Sequence, residues 1–129
     1  MASKTKNDWN DESTSEISVT LLPLSTEQTP AALEMVQGPG APRRYELLRT
    51  ELVVGRSIDA EIPINSTDLS RKHVVLKRMP SGQFNLMDLR SRNGVFVNGV
   101  KVHQAVLHDG DSVQMGSLLF IFHEGRASS

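Results

Sequence analysis

Phe84-Asn85-Leu86-Met87-Asp88, then Leu89-Arg90-Ser91-Arg92-Asn93-Gly94, then Val95-Phe96-Val97 and Asn98-Gly99: between residues 84 and 99 the chain passes twice from a short apolar run into turn residues. Phe84 and Leu86 point the same way if the backbone is extended, because side chains alternate faces along a strand. Asn98-Gly99 is a strong hairpin signal, since tight hairpin turns need positive φ. The same texture continues outward, with turn residues recurring every eight to twelve positions or so. It predicts strands at Leu33–Gln37, Arg44–Leu48, Leu52–Gly55, Ile62–Ile64, His73–Arg78, Phe84–Asp88, Val95–Val97, Lys101–Val102, Ser112–Met115 and Leu118–His123. Gly38-Pro39-Gly40, Pro80-Ser81-Gly82, Asp109-Gly110 and Gly116 supply further turns. Each strand is only half apolar, which fits two packed sheets. The expected fold class is therefore all-β, an antiparallel sandwich of about ten or eleven short strands, with little room for helix.

A chain of 129 residues holds one domain of ordinary size plus some unstructured length. Hydrophobic residues make up 38% but aromatics only 5%, so Val, Leu and Ile must fill the core. The absence of cysteine excludes a disulfide framework and any thiolate nucleophile or metal site. No apolar run reaches the roughly 18 residues a membrane helix needs, and Met1-Ala2-Ser3-Lys4 leads into polar sequence. No membrane association is expected, and the chain is placed in the cytoplasm.

Charge and composition divide the chain near residue 32. Residues 1–32 carry two lysines against five carboxylates and hold ten Ser or Thr; residues 33–129 carry twelve Lys or Arg against ten carboxylates. The first stretch is read as a disordered, acidic, Ser/Thr-rich tail. Within it Ile17, Val19 and Leu21 alternate with polar neighbours over Ile17–Leu24, a pattern for a short strand or docking segment. Residues 33–124 are the folded domain, and 125–129, Gly-Arg-Ala-Ser-Ser, a linker.

Three stretches of the folded part concentrate Arg, Ser, His and Asn in a fixed order. They are Gly55-Arg56-Ser57, then Asp68-Leu69-Ser70-Arg71-Lys72-His73, then Asp88-Leu89-Arg90-Ser91-Arg92-Asn93-Gly94 with Val97-Asn98-Gly99 behind it. At these residues the chain resembles the forkhead-associated (FHA) domain, whose pattern is a Gly-Arg at a strand end, a Ser-x-x-His, and an Asn-Gly followed by a second Asn-Gly. Leu107-His108-Asp109-Gly110-Asp111 resembles the family's closing stretch, and the likeness runs from Leu33 to Glu124. It implies an FHA-like β-sandwich that binds phosphothreonine and has no catalytic activity.

The residue types suit that chemistry. A phosphothreonine is a dianion with three strong acceptor oxygens, so its site needs a guanidinium fork and neutral donors. Arg56, leaving a strand, can supply the fork; a surface ion pair, its plainer role, would not need the flanking Gly55. Ser70 can donate its hydroxyl, and Arg71 or Lys72 adds exposed charge. Asn93 offers both a donor and an acceptor to a bound peptide backbone, besides serving as a turn residue before Gly94. Asn98 is expected to support its loop. In the family the position before the first Asn is commonly Ser or Thr; here it is Arg92, which adds charge to the phosphate or points to solvent, and Ser91 stands one residue too early to replace the hydroxyl.

Other chemistries fit less well. Asp68, Ser70 and His73 contain the three types of a hydrolase triad, but they fall within six residues, without a nucleophile elbow or an oxyanion loop. The resemblance makes His73 a scaffold residue. His103, His108 and His123 lack ligand spacing, so no metal or other cofactor is expected. Arg71, Lys72, Arg90 and Arg92 could face nucleic acid, but the net charge is −1 and stacking aromatics are scarce, so none is expected. The expected partner is a phosphothreonine-containing protein. It could also be the chain's own tail, phosphorylated at Thr14 in Asp11-Glu12-Ser13-Thr14-Ser15-Glu16; about 30 flexible residues span about 30 Å, enough to fold back. The alternative is a regulatory head cut from a longer signalling enzyme, whose catalytic domain would follow.

Overall fold

Alternation dictates the last strand of the sandwich: along Leu118–His123 the odd members Leu118, Phe120 and Phe122 are buried and their neighbours half-exposed. The structure is a computed structural model that describes residues 29–126. The expectations for Thr14, for the Ile17–Leu24 segment and for residues 127–129 fall outside the described residues. Thr29 and Arg126 belong to a separate unit and pair with each other.

Pro30–Gly125 contain eleven strands and, among the described residues, no helix. In chain order they are β1 (Ala32–Gln37), β2 (Arg43–Glu46), β3 (Glu51–Gly55), β4 (Ile62–Pro63), β5 (Val74–Arg78), β6 (Phe84–Asp88), β7 (Val95–Val97), β8 (Val100–Val102), β9 (Gln104–Val106), β10 (Ser112–Met115) and β11 (Leu118–His123). One sheet runs β9-β6-β5-β3-β4 and the other β2-β1-β11-β10-β7-β8. The all-β sandwich read from the turns is the fold found, with one difference in hand. β3 and β4 run parallel, Val54 beside Ile62, because the loop after Gly55 doubles back before pairing again.

Several strand ends differ from the sequence reading by one residue, as at β4, which stops at Pro63 rather than Ile64, and two strands depart further. β9 was not anticipated: Gln104-Ala105-Val106 has too little apolar contrast to signal a strand, and its pairing with β6 defines it. β2 ends at Glu46 rather than Leu48, because Leu47 turns into the core while Leu48 stays 73% exposed.

The core lies between the sheets. Leu33, Met35, Val113, Met115, Phe120 and Phe122 come from one side, and Leu52, Val54, Val74, Leu76, Phe84 and Leu86 from the other. Phe84 meets Phe122 edge-on, ring centroids 6.2 Å apart, an arrangement favoured by the opposed charge of ring edge and face. Burying each of these side chains contributes about 1.5 to 3 kcal/mol, so the sheets hold rigidly what their loops carry. Beyond the short β4, the Val53 N–H is taken by the Glu61 carboxylate at 2.7 Å. Val53 draws the Glu61 carboxyl below its ordinary value, with Arg49 and Lys72 adding to the effect.

Candidate functional site

Register decides which loops meet. Val54 pairs with Val74 and Val74 with Asp88, so β3 ends, β5 begins and β6 ends in one row. The loops 56–61, 64–73 and 89–94 therefore leave the five-stranded sheet at the same end. They are the loops that hold Arg56, Ser70 and Asn93.

Gly55 sets the approach of the first two. A Cβ there would lie 2.1 Å from the Arg71 carbonyl oxygen and 2.7 Å from its carbon, so only glycine lets the backbones come this close. The Arg56 and Ser57 N–H groups then donate to the Ser70 and Arg71 carbonyls, each at 3.0 Å. The Arg56 side chain is exposed, and its Nε donates to the Leu69 carbonyl at 3.2 Å. That bond steers the guanidinium over the second loop, and its two terminal nitrogens have no partner among the described residues.

His73, fully buried, joins the second loop to the third. The Ser70 N–H donates to its Nδ1 at 3.1 Å, and Nε2 lies 2.8 Å from the Gly94 carbonyl. An Nδ1 that accepts leaves the proton on Nε2, which donates to Gly94; one tautomer satisfies both bonds. The Ser70 Oγ accepts the Arg92 N–H at 2.9 Å, so its own proton remains available to a ligand. Arg92, in the position read as either added charge or a solvent-facing side chain, donates through its guanidinium to the Thr67 carbonyl at 2.8 Å. Asn93 is exposed, with Nδ2 donating to the Asp68 carbonyl at 2.8 Å. Its Oδ1 has no partner among the described residues. Arg71 and Lys72 are both exposed beside them.

Residues 52–116, half of the chain, match the family model described as the FHA domain. The chain belongs to the FHA family. It is 36% identical to the glycogen accumulation regulator GarA of Mycolicibacterium smegmatis over 98 residues, 76% of this chain and 61% of that protein. It is 34% identical to an oxoglutarate dehydrogenase inhibitor of Corynebacterium diphtheriae over 72% of this chain and 64% of the inhibitor. The chain thus spans about three fifths of the length of these curated relatives. A solved FHA domain described by its phosphothreonine-dependent interactions superposes with a TM-score of 0.66 at 30% identity, covering 74% of this chain and 96% of that one.

The FHA geometry accounts for the residues that resembled a triad. His73 Nδ1 is engaged by the Ser70 backbone N–H rather than its hydroxyl, and Nε2 by Gly94. The Asp68 carboxylate turns away to Ser117, accepting from its N–H at 3.2 Å and from its hydroxyl. No proton relay links the three. The Ser117 hydroxyl, then its N–H, hold the Asp68 carboxyl below its ordinary value, helped by the nearby Arg92 charge. Ser117 is a site support that the sequence did not signal, since 49 residues separate it from Asp68. Ser91 is likewise turned inward: its N–H and hydroxyl both donate to Asp88 Oδ1.

Asn98 lies at the other end of β7. It adopts φ 51°, and its Nδ2 donates to Asp111 at 3.0 Å while its Oδ1 accepts the Ser112 N–H at 2.9 Å. Among the described residues no cluster of His, Asp and Glu is placed to hold a metal ion, and no helix is long and apolar enough to cross a membrane.

Proposed function

We propose that this chain is a phosphothreonine-dependent protein-binding module, cytoplasmic and without catalytic activity of its own. One observation supports the reading: Ser70 receives the Arg92 N–H on its oxygen, which leaves its own proton to a ligand, and the neighbouring Leu69 carbonyl holds the Nε of Arg56 over the same loop. The three groups come from three loops and are held before any ligand arrives, which limits the ordering cost of binding. Arg56 and Ser70 take the phosphate, with Arg71 and Arg92 adding positive field. Asn93 takes the peptide backbone, Gly55, His73 and Gly94 keep these loops in place, and Asn98 supports the hairpin loop at the far end of β7. The relatives are a regulator and an inhibitor, which favours a binding role over catalysis. The ligand is a phosphothreonine segment of a partner protein, or this chain's own tail phosphorylated at Thr14.

The test is titration with a degenerate phosphothreonine peptide library beside its unphosphorylated and phosphoserine counterparts. Arg56→Ala should lower phosphopeptide affinity by at least about tenfold, to below detection if both terminal nitrogens bind, since a hydrogen bond to a charged group contributes about 1.5 to 3 kcal/mol. Its thermal unfolding should match the parent, because the side chain is exposed. Equal affinity of variant and parent would remove Arg56 from the site.

A further inference from the structure

Lys101 occupies a place that the phosphate chemistry leaves unexplained. It sits on β8 opposite Phe96 of β7. From there its side chain reaches diagonally onto Gly94, two positions earlier in the chain. A Cβ on Gly94 would meet Lys101 Cε at 2.9 Å and Nζ at 3.6 Å. Gly94 is buried although it lies in a surface loop, and the lysine stem helps to cover it. A long side chain that lays its methylenes on backbone while holding its charge in water is common; here the charge comes to rest beside the Asn93–Gly94 peptide.

Two further facts bear on what that ammonium is for. The Gly94 carbonyl is pinned by buried His73, so the surface beneath the lysine is rigid. Two carboxylates of the neighbouring loops are engaged elsewhere, Asp68 with Ser117 and Asp88 with Ser91. Among the described residues no carboxylate stands within salt-bridge range of Lys101. The result is a cation on a fixed platform with no ion-pair partner among the described residues, one residue from the asparagine assigned to the ligand backbone.

We propose that Lys101 is a specificity-determining residue that selects phosphothreonine segments carrying an Asp or Glu close to the phosphorylated residue. The inference rests on the phosphopeptide reading above and adds the class of ligand. The side chains flanking the phosphothreonine must pass near Asn93 if that residue holds the peptide backbone, and a carboxylate there meets Lys101 while a lysine is repelled. The tail shows how such a segment would read: Thr14 has Asp11 and Glu12 before it and Glu16 after it. An exposed ion pair contributes little, so the selection expected is modest, about two- to fivefold, and shrinks with added salt.

Fluorescence anisotropy with three synthetic phosphothreonine peptides tests this. One has the sequence of residues 8–20 phosphorylated at Thr14; in the others Asp11, Glu12 and Glu16 become the amides or become lysines. The parent should bind the acidic peptide best and the lysine peptide worst. Lys101→Met, which keeps a stem over Gly94, should bind acidic and amide peptides equally, with affinity for the amide peptide unchanged. Lys101→Glu should invert the order. If Lys101→Met weakens acidic and amide peptides by the same factor, the ammonium serves the phosphate and the proposal is wrong; so it is if the acidic preference survives intact. Failure of the parent to bind any of the three would instead defeat the phosphopeptide reading and this proposal with it.

Discussion

Each end of β7 carries an Asn-Gly pair, and the two ends use the same dipeptide differently. At the exit, Asn98 satisfies its amide internally, on Asp111 and Ser112, and takes the left-handed backbone conformation that closes the hairpin. At the entrance, Asn93 uses one N–H on the Asp68 carbonyl and its oxygen has no partner among the described residues, while Gly94 alone of the pair takes a positive φ, 74°. An amide whose bonds are all internal belongs to the scaffold. One with an acceptor left unpartnered among the described residues, on a loop pinned from beneath, suits the peptide-binding role proposed for Asn93.

The strongest way to break this contrast is to remove the pin. His73→Ala leaves the buried Gly94 carbonyl and the Ser70 N–H without partners, and unsatisfied buried groups cost about 1 to 3 kcal/mol each. Urea denaturation should show a loss of about 3 kcal/mol, and phosphopeptide affinity should fall with it as the loops separate. Asn98→Ala should cost about 2 kcal/mol in the same measurement, from two lost bonds and the loss of the local amide bonding that lets asparagine tolerate positive φ. Its phosphopeptide affinity should match the parent. Asn93→Ala should show the opposite pattern: stability within about 1 kcal/mol of the parent, and affinity lowered about tenfold, which is about 1.4 kcal/mol. A large stability loss in Asn93→Ala with intact binding would reverse the roles of the two asparagines.

The smallest expected effect concerns the bracket behind Asn93. The folded Asp68 carboxyl is depressed below its ordinary value of 3.8 by Ser117. Such a group binds its proton more weakly in the folded state, so its contribution is complete above the ordinary value and disappears as pH falls through the depressed one. Parent and Asp68→Asn should therefore differ in thermal stability at neutral pH and converge in acid. A constant difference down to pH 2 would mean that Asp68 acts by shape rather than charge.

Sequence carried the sandwich well because period-two runs such as Phe84/Leu86 and Leu118/Phe120/Phe122 are local signals, and so are the glycines that punctuate them. It missed Gln104–Val106, whose strand character comes from the neighbour β6 rather than from its own side chains. In the site, the family-like order of Gly-Arg, Ser-x-x-His and Asn-Gly marks the loops, but the contacts that shape them are long-range. Arg92 reaches the Thr67 carbonyl across 25 residues, and Asp68 reaches Ser117 across 49. Nothing in the spacing of these residues encodes such partners; packing of the two sheets brings them together. The closeness required at Gly55 is another case, since the sequence displays a glycine and only the fold displays the Arg71 carbonyl it must clear.

The short fourth strand has a consequence for how the protein behaves in a crowded solution. A sheet border with open N–H and C=O groups is a template on which another chain can polymerise. Here Pro63 has no N–H to offer, and the carboxylate of Glu61 occupies the donor of Val53 that β4 is too short to reach. Two side chains thus close this border of the five-stranded sheet against copies of the same molecule.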